Sequence, residues 1–139
     1  TALILGHNPP AIVEAVKKQL ENGTHYGTAH ELEIALAERV TRMVPNAQMV
    51  RFTNSGTEAN MYATRLARTY TGRDKIAKFE GGWHGGYDAL QKAVKPPFDV
   101  PESGGLTQAT LKDTVALPFN NIEEVRKTIK KERLAGIII

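Results

Sequence analysis

Four short strand-like runs most constrain what this 139-residue chain can fold into: Met49–Thr53, Lys75–Phe79, Thr114–Leu117 and Leu134–Ile139. Each has the length of a buried strand, and helical periodicity falls between the first and second and between the third and fourth. Strand, helix, strand, loop, strand, helix, strand is the order of an α/β fold with a mostly parallel sheet and crossover connections. Leu134–Ile139 is apolar throughout, as in a strand buried on both faces. Such a strand normally leads onward to a ligand-bearing loop. Because the sequence stops on it and begins at Thr1, the chain is expected to be a piece of a longer protein.

Ahead of the first run lie two amphipathic helices. Leu3-Ile4-Leu5 is closed by Gly6, and His7-Asn8-Pro9-Pro10 makes a turn with Pro10 suited to a first helical position. Ile12, Val13, Val16 and Leu20 give that helix an apolar face, and Asn22-Gly23 stops it. A polar loop containing Tyr26 follows. In the next helix Leu32, Leu36, Val40 and Val44 are expected to face a core, with Pro45-Asn46 as its end. We therefore expect a single partial domain over 1–139, in which a helical segment, 1–45, leads into the sheet-bearing part, 46–139.

Composition excludes several classes. Hydrophobic residues make up 41% and charged residues 24%, a globular balance. No apolar run approaches the roughly 20 residues that span a bilayer, so a membrane partner is not expected. There are no cysteines, which removes disulfides and thiolate metal sites and is compatible with a cytoplasmic protein. The net charge of +3 is spread over helices and interleaved with acids. A nucleic-acid surface would cluster it on one face. His25 and His30 are five apart, not the four that places two metal ligands on one helix face.

The chemistry is expected at Asn54-Ser55-Gly56-Thr57-Glu58-Ala59-Asn60. A strand precedes this turn, and Ala59, Tyr62, Ala63, Leu66, Ala67 and Tyr70 recur at helical steps after it. The first N–H groups of such a helix lack partners and its dipole favours negative charge. Gly56 admits a ligand close to the backbone, and Ser55 and Thr57 add hydroxyl donors, so the turn can cradle a phosphate dianion. The same residues also read as an ordinary helix cap with a carboxylate in the first turn.

A second motif, Gly81-Gly82-Trp83-His84-Gly85-Gly86, follows the run Lys75–Phe79. In an open parallel sheet both motifs sit at the carboxyl edge of the strands and should be neighbours. The glycine frame lets the indole of Trp83 lie against a flat ligand, although Trp83 could equally anchor a core and His84 merely serve the turn. A phosphate cradle beside an aromatic platform suggests a flat phosphorylated cofactor, with pyridoxal phosphate the natural candidate. Residues 88–113, rich in Pro and Gly, read as a long irregular excursion. Beyond it, Asn120 or Asn121 caps a helix with Ile122, Val125 and Ile129 on its inner face.

These motifs occur in a telling order: Leu5-Gly6-His7-Asn8-Pro9, His30-Glu31-Leu32-Glu33, Arg51-Phe52-Thr53-Asn54-Ser55-Gly56-Thr57-Glu58-Ala59, Arg65-Leu66-Ala67-Arg68, Thr71–Ile76, Phe79-Glu80-Gly81 with Trp83-His84-Gly85, and Phe119-Asn120-Asn121. In that order and spacing the chain resembles the class III aminotransferases of the fold-type I pyridoxal-phosphate enzymes. Within them it is most similar to the glutamate-1-semialdehyde aminomutase branch and its β-amino-acid aminotransferase relatives.

The resemblance implies that this is the first half of a cofactor-binding large domain. Ser55, Gly56 and Thr57 would hold the phosphate, Trp83 would stack on the pyridine ring, and His84 would support that loop. Tryptophan stands where the family more commonly has tyrosine. Tyr26 would lie near the substrate. The implied activity moves an amino group on a small amino-acid, keto or aldehyde substrate, through aldimine and pyridoxamine forms of pyridoxal 5'-phosphate, in a cytoplasmic homodimer. The family's Schiff-base lysine and pyridinium aspartate match no position in these residues, so the chain alone is expected to be inactive. The rival reading is a non-catalytic phosphate- or nucleotide-binding α/β domain; it would have to do without G-x-G-x-x-G or a P-loop lysine, which the sequence lacks.

Overall fold

A computed structural model describes residues 3–139, so the first two residues of the 1–45 segment lie outside it. The chain divides into two compact units, one ending at Arg51 and one comprising Phe52–Ile139.

The first unit holds α1 (Pro10–Leu20) and α2 (Glu31–Met43). Pro10 opens α1, where its missing N–H costs nothing, and Gly23 follows the helix at φ 97°. His30 caps α2, its Nδ1 accepting the N–H of Leu32 at 3.2 Å. Neither helix buries a residue completely. On α2 Val40 is half-buried, while Leu32, Leu36 and Val44, expected to face a core, are exposed.

The second unit is built on three strands, β1 (Lys75–Phe79), β2 (Thr114–Leu117) and β3 (Leu134–Ile138), paired in parallel in the order β2-β1-β3. All three lie where the sequence predicts them. The fourth expected strand, Met49–Thr53, is not formed: no strand pairs with it among the described residues, and Met49 is exposed. An apolar run without a ladder partner has nowhere to place its backbone N–H and C=O groups except solvent or side chains.

Helix α3 (Gly56–Thr71) covers one face of the sheet and α5 (Ile122–Lys131) the other. Ala77, Leu117, Val125 and Leu134 form the core under α5, with Phe79 and Val115 packed at its margin. On the opposite face α3 approaches β3 so closely that a β-carbon on Gly136 would stand 3.5 Å from that of Ala67. Close approach selects small residues, so not every apolar position that recurs along α3 faces the sheet. Thr64 is fully buried and Ala67 half-buried, whereas Leu66 and Tyr70 are exposed.

Two further expectations are corrected. On α5 only Val125 is buried; Ile122 and Ile129 are exposed. β3 is an edge strand, not one buried on both faces, and Ile137 and Ile139 are exposed. The cap of α5 is Asn121, whose Oδ1 accepts the N–H of Glu124 at 3.2 Å.

The irregular segment is ordered by a few specific bonds. It contains a 3-10 turn at Asp88–Leu90, an antiparallel bridge between Lys92 and Pro101, and α4 (Gln108–Leu111). Within it Ala89, Leu90, Ala93 and Leu111 are buried. The side chain of Lys78, fully buried in β1, donates to the carbonyl of Lys92 at 2.6 Å, and Lys92 Nζ in turn donates to the carbonyl of Thr114 at 2.8 Å. A buried ammonium held by a carbonyl is costly to desolvate, and burial lowers the Lys78 pKa, partly opposed by Glu102.

Candidate functional site

The turn at Ser55 is a helix cap, as the plainer reading of the sequence has it. Ser55 Oγ accepts the N–H of Glu58 at 3.2 Å, while Glu58 Oε2 reaches back to the N–H of Asn54 at 2.8 Å. This reciprocal arrangement satisfies two donors and leaves those of Gly56 and Thr57, which no intrahelical carbonyl can reach. A β-carbon at Gly56 would meet nothing within 4 Å, so the backbone there is open on its side-chain flank. Capping and anion binding are therefore compatible here. The cap takes the third N–H and fixes the turn, and the first two are left without an intrahelical partner.

The glycine loop after β1 packs directly on this turn, as expected of two motifs at one sheet edge. Gly86 donates its N–H to Thr57 Oγ1 at 3.1 Å, and Asn60 Nδ2 donates to the carbonyl of His84 at 3.0 Å. Gly85, at φ +85°, lies against Thr57; a β-carbon there would stand 2.8 Å from the Thr57 α-carbon. Because Thr57 Oγ1 accepts the Gly86 N–H, its own proton remains available to another acceptor.

On the loop's other flank, Gly81 donates to the carbonyl of Ala93 at 2.9 Å and Gln91 Nε2 donates to the carbonyl of Gly85 at 2.6 Å. Trp83 is 61% exposed, so it is not a core anchor, and its ring is offered to solvent. His84 turns its ring inward. Its Nε2 is buried without a hydrogen-bond partner among the described residues, close enough that a β-carbon on Gly82 would stand 2.9 Å away. Burial, and then the charge of Lys78, hold the His84 pKa below its ordinary value, which keeps the imidazole neutral near pH 7.

Ser55, Gly56, Thr57, Trp83 and His84 thus belong to one sheet edge. Tyr26 belongs to the first unit, where its hydroxyl donates to the carbonyl of Asn22 at 2.7 Å and its ring stacks on His30. The sequence reading gave Asn60 no role of its own and missed Gln91 and Lys78. Asn60 stands three residues after Thr57, on the same helix face, a spacing that could have flagged it. Nothing in the sequence marks Gln91. Among the described residues no cluster of His, Cys, Asp or Glu could hold a metal ion, and no helix is long and apolar enough to cross a membrane.

Comparison with known proteins gives this edge a context. The whole chain, residues 1–139, matches the family described as aminotransferase class-III. The chain belongs to that family. Among its relatives, the glutamate-1-semialdehyde 2,1-aminomutase of Fusobacterium nucleatum subsp. nucleatum is 48% identical over 142 residues, covering 99% of this chain and 32% of that protein. Among solved structures, an omega-transaminase from Sphaerobacter thermophilus is 47% identical with a TM-score of 0.90, covering 99% of this chain and 34% of the other. A transaminase with PLP bound is 34% identical with a TM-score of 0.87, over 95% of this chain and 32% of that one. The chain therefore spans about a third of the length of these relatives. The fold is that of the fold-type I transaminases.

Proposed function

We propose that this chain is the phosphate- and ring-binding half of the active site of a pyridoxal-phosphate-dependent aminotransferase or aminomutase, within the first half of that enzyme's large domain. The observation that carries the reading is the docking of the Trp83 loop onto the open helix end, through Gly86 and Thr57.

The residues present fit such a cofactor. The N–H groups of Gly56 and Thr57, the helix dipole and the Thr57 hydroxyl suit a phosphate dianion. The exposed indole of Trp83 suits a flat ring. When bound, the cofactor supplies the electron sink that lets an amino group leave or join carbon. The chain's own contribution is binding and orientation. Ser55 and Glu58 lock the turn, Thr57 donates to the anion, Trp83 covers one ring face and excludes water from it, and neutral His84 fills the space under the loop without adding charge.

Small amino-acid, keto or aldehyde substrates follow from the family, with the named relatives divided between aminomutase and transaminase. A cytoplasmic homodimer is the expected assembly. The exposed Leu66 and Tyr70 on α3 support burial against further protein.

The test is made on the full-length protein. It should bind pyridoxal 5'-phosphate with a shift in ring absorbance. It should then either convert glutamate-1-semialdehyde without a second substrate or transfer nitrogen from an amino donor to a keto acid. Binding of inorganic phosphate or a nucleotide, with no affinity for pyridoxal 5'-phosphate, would instead support the non-catalytic domain.

A further inference from the structure

The peptide group joining Gly85 and Gly86 is held at both of its polar ends. Its oxygen accepts from Gln91 Nε2 at 2.6 Å, and its N–H donates to Thr57 Oγ1 at 3.1 Å. The three groups form one hydrogen-bonded chain, in which each bond orients and polarises the next. Gln91 is itself held by its surroundings. Its side chain is buried, its N–H donates to the carbonyl of Asp88 at 3.1 Å, and its carbonyl accepts from Glu102 at 3.2 Å. The following residue is fixed from below, its carbonyl taken by the buried Lys78.

The peptide between glycines has little intrinsic preference for one orientation, because neither neighbour carries a β-carbon. Only its two partners decide which way it faces. With the N–H aimed at Thr57 Oγ1, the threonine proton is displaced from that direction and left for an outside acceptor. With the peptide turned, Thr57 could spend its proton on the loop instead.

We infer that Gln91 is a positioning residue, which acts through the Gly85–Gly86 peptide to keep the Thr57 hydroxyl a donor toward a bound phosphate. Nothing in the sequence pattern marks it, and it touches the open side of the turn only through this relay. The inference rests on the phosphate-site reading given above.

The experiment uses the full-length protein freed of cofactor, with pyridoxal 5'-phosphate and phosphate-free pyridoxal as probes. Gln91→Met keeps the shape and removes the donor. It should weaken pyridoxal 5'-phosphate binding roughly five- to tenfold, the worth of one hydrogen bond, and leave pyridoxal binding unchanged. In Thr57→Ala the further change Gln91→Met should add nothing, since the relay's last member is gone. Equal losses for both probes, or an additive loss in the double variant, would overturn the inference and mark Gln91 as merely structural. If Gln91→Met does not fold, Gln91→Glu replaces it. That variant should bind pyridoxal 5'-phosphate poorly at pH 8, where the buried carboxylate cannot donate to the Gly85 carbonyl, and regain affinity relative to wild type as the carboxyl protonates and donates again. A flat pH ratio would overturn the relay. If Thr57→Ala by itself leaves pyridoxal 5'-phosphate affinity intact, the phosphate-site reading fails first and the inference with it. If Thr57→Ala weakens binding while the Gln91 variants do not, the inference alone fails.

Discussion

Gly85 rests on Thr57 with no room between them: a β-carbon added to the glycine would stand 2.8 Å from the threonine α-carbon, closer than real β-carbons come. Its φ of +85° independently disfavours any side chain. The contact is backbone against the first turn of α3, which cannot yield as a flexible side chain would. Gly85→Ala should therefore lift the loop off the helix. We expect a loss of stability on the order of 1–3 kcal/mol, together with weakened cofactor binding, from overpacking and strain combined. Thermal unfolding and a cofactor titration of the full-length protein check both. Unchanged behaviour would mean the two elements do not pack as described.

Thr57→Ala should weaken pyridoxal 5'-phosphate binding by about 1.5–3 kcal/mol, the range for a hydrogen bond to a charged group. Thr57→Ser retains the hydroxyl and should recover most of that affinity. A serine variant as weak as the alanine one would show that the methyl group, and not the donor, matters.

Trp83→Ala should reduce cofactor affinity and shift the absorbance of the bound ring, since both stacking and exclusion of water are lost. In the unsubstituted protein, indole fluorescence should fall as cofactor is added. Trp83→Tyr preserves an aromatic face and should bind nearly as well. Binding without any quenching would count against a ring platform at this position.

His84 offers a pH signature. Burial, and secondarily the Lys78 charge, lower its pKa from the ordinary 6.5. Between the lowered folded value and that of the unfolded chain, the unfolded state binds more protons. Stability should therefore rise with pH through this window and fall as the solution is acidified below about pH 6.5. In His84→Gln the part of the slope due to this residue should vanish. Denaturant unfolding of both proteins at several pH values between 5 and 7.5 provides the comparison. Identical slopes would remove His84 as the cause.

The sequence revealed the strands better than it revealed what they bury. Lys75–Phe79, Thr114–Leu117 and Leu134–Ile138 appear where short apolar runs and turn residues place them, because strand length and glycine or asparagine punctuation are local properties. Met49–Thr53 looked equivalent, but a strand exists only with a partner, and pairing is not a local property. The inward face of α3 was not legible for a different reason. Periodicity assigns large apolar residues inward, yet where Ala67 meets Gly136 the spacing admits only small ones, so Leu66 and Tyr70 turn outward. At the site, Ser55, Gly56, Thr57 and the glycine loop were legible because their chemistry is concentrated in short motifs. Gln91 and Lys78 were not, since their roles depend on carbonyls six and fourteen positions away.

The loop from Gly81 to Gly86 is fastened on one flank to α3, which precedes it in the chain, and on the other to residues 91–93, which follow it. Its fit is thus a matter of span as much as of side chains. Adding or removing one residue between Glu80 and Gln91 would move Gly85 and Gly86 out of register with both flanks at once, and no substitution nearby could restore them. This stretch should tolerate a change of identity at an exposed position such as Asp88 far better than any change of length, a rule that alignment gaps and insertion libraries can read directly.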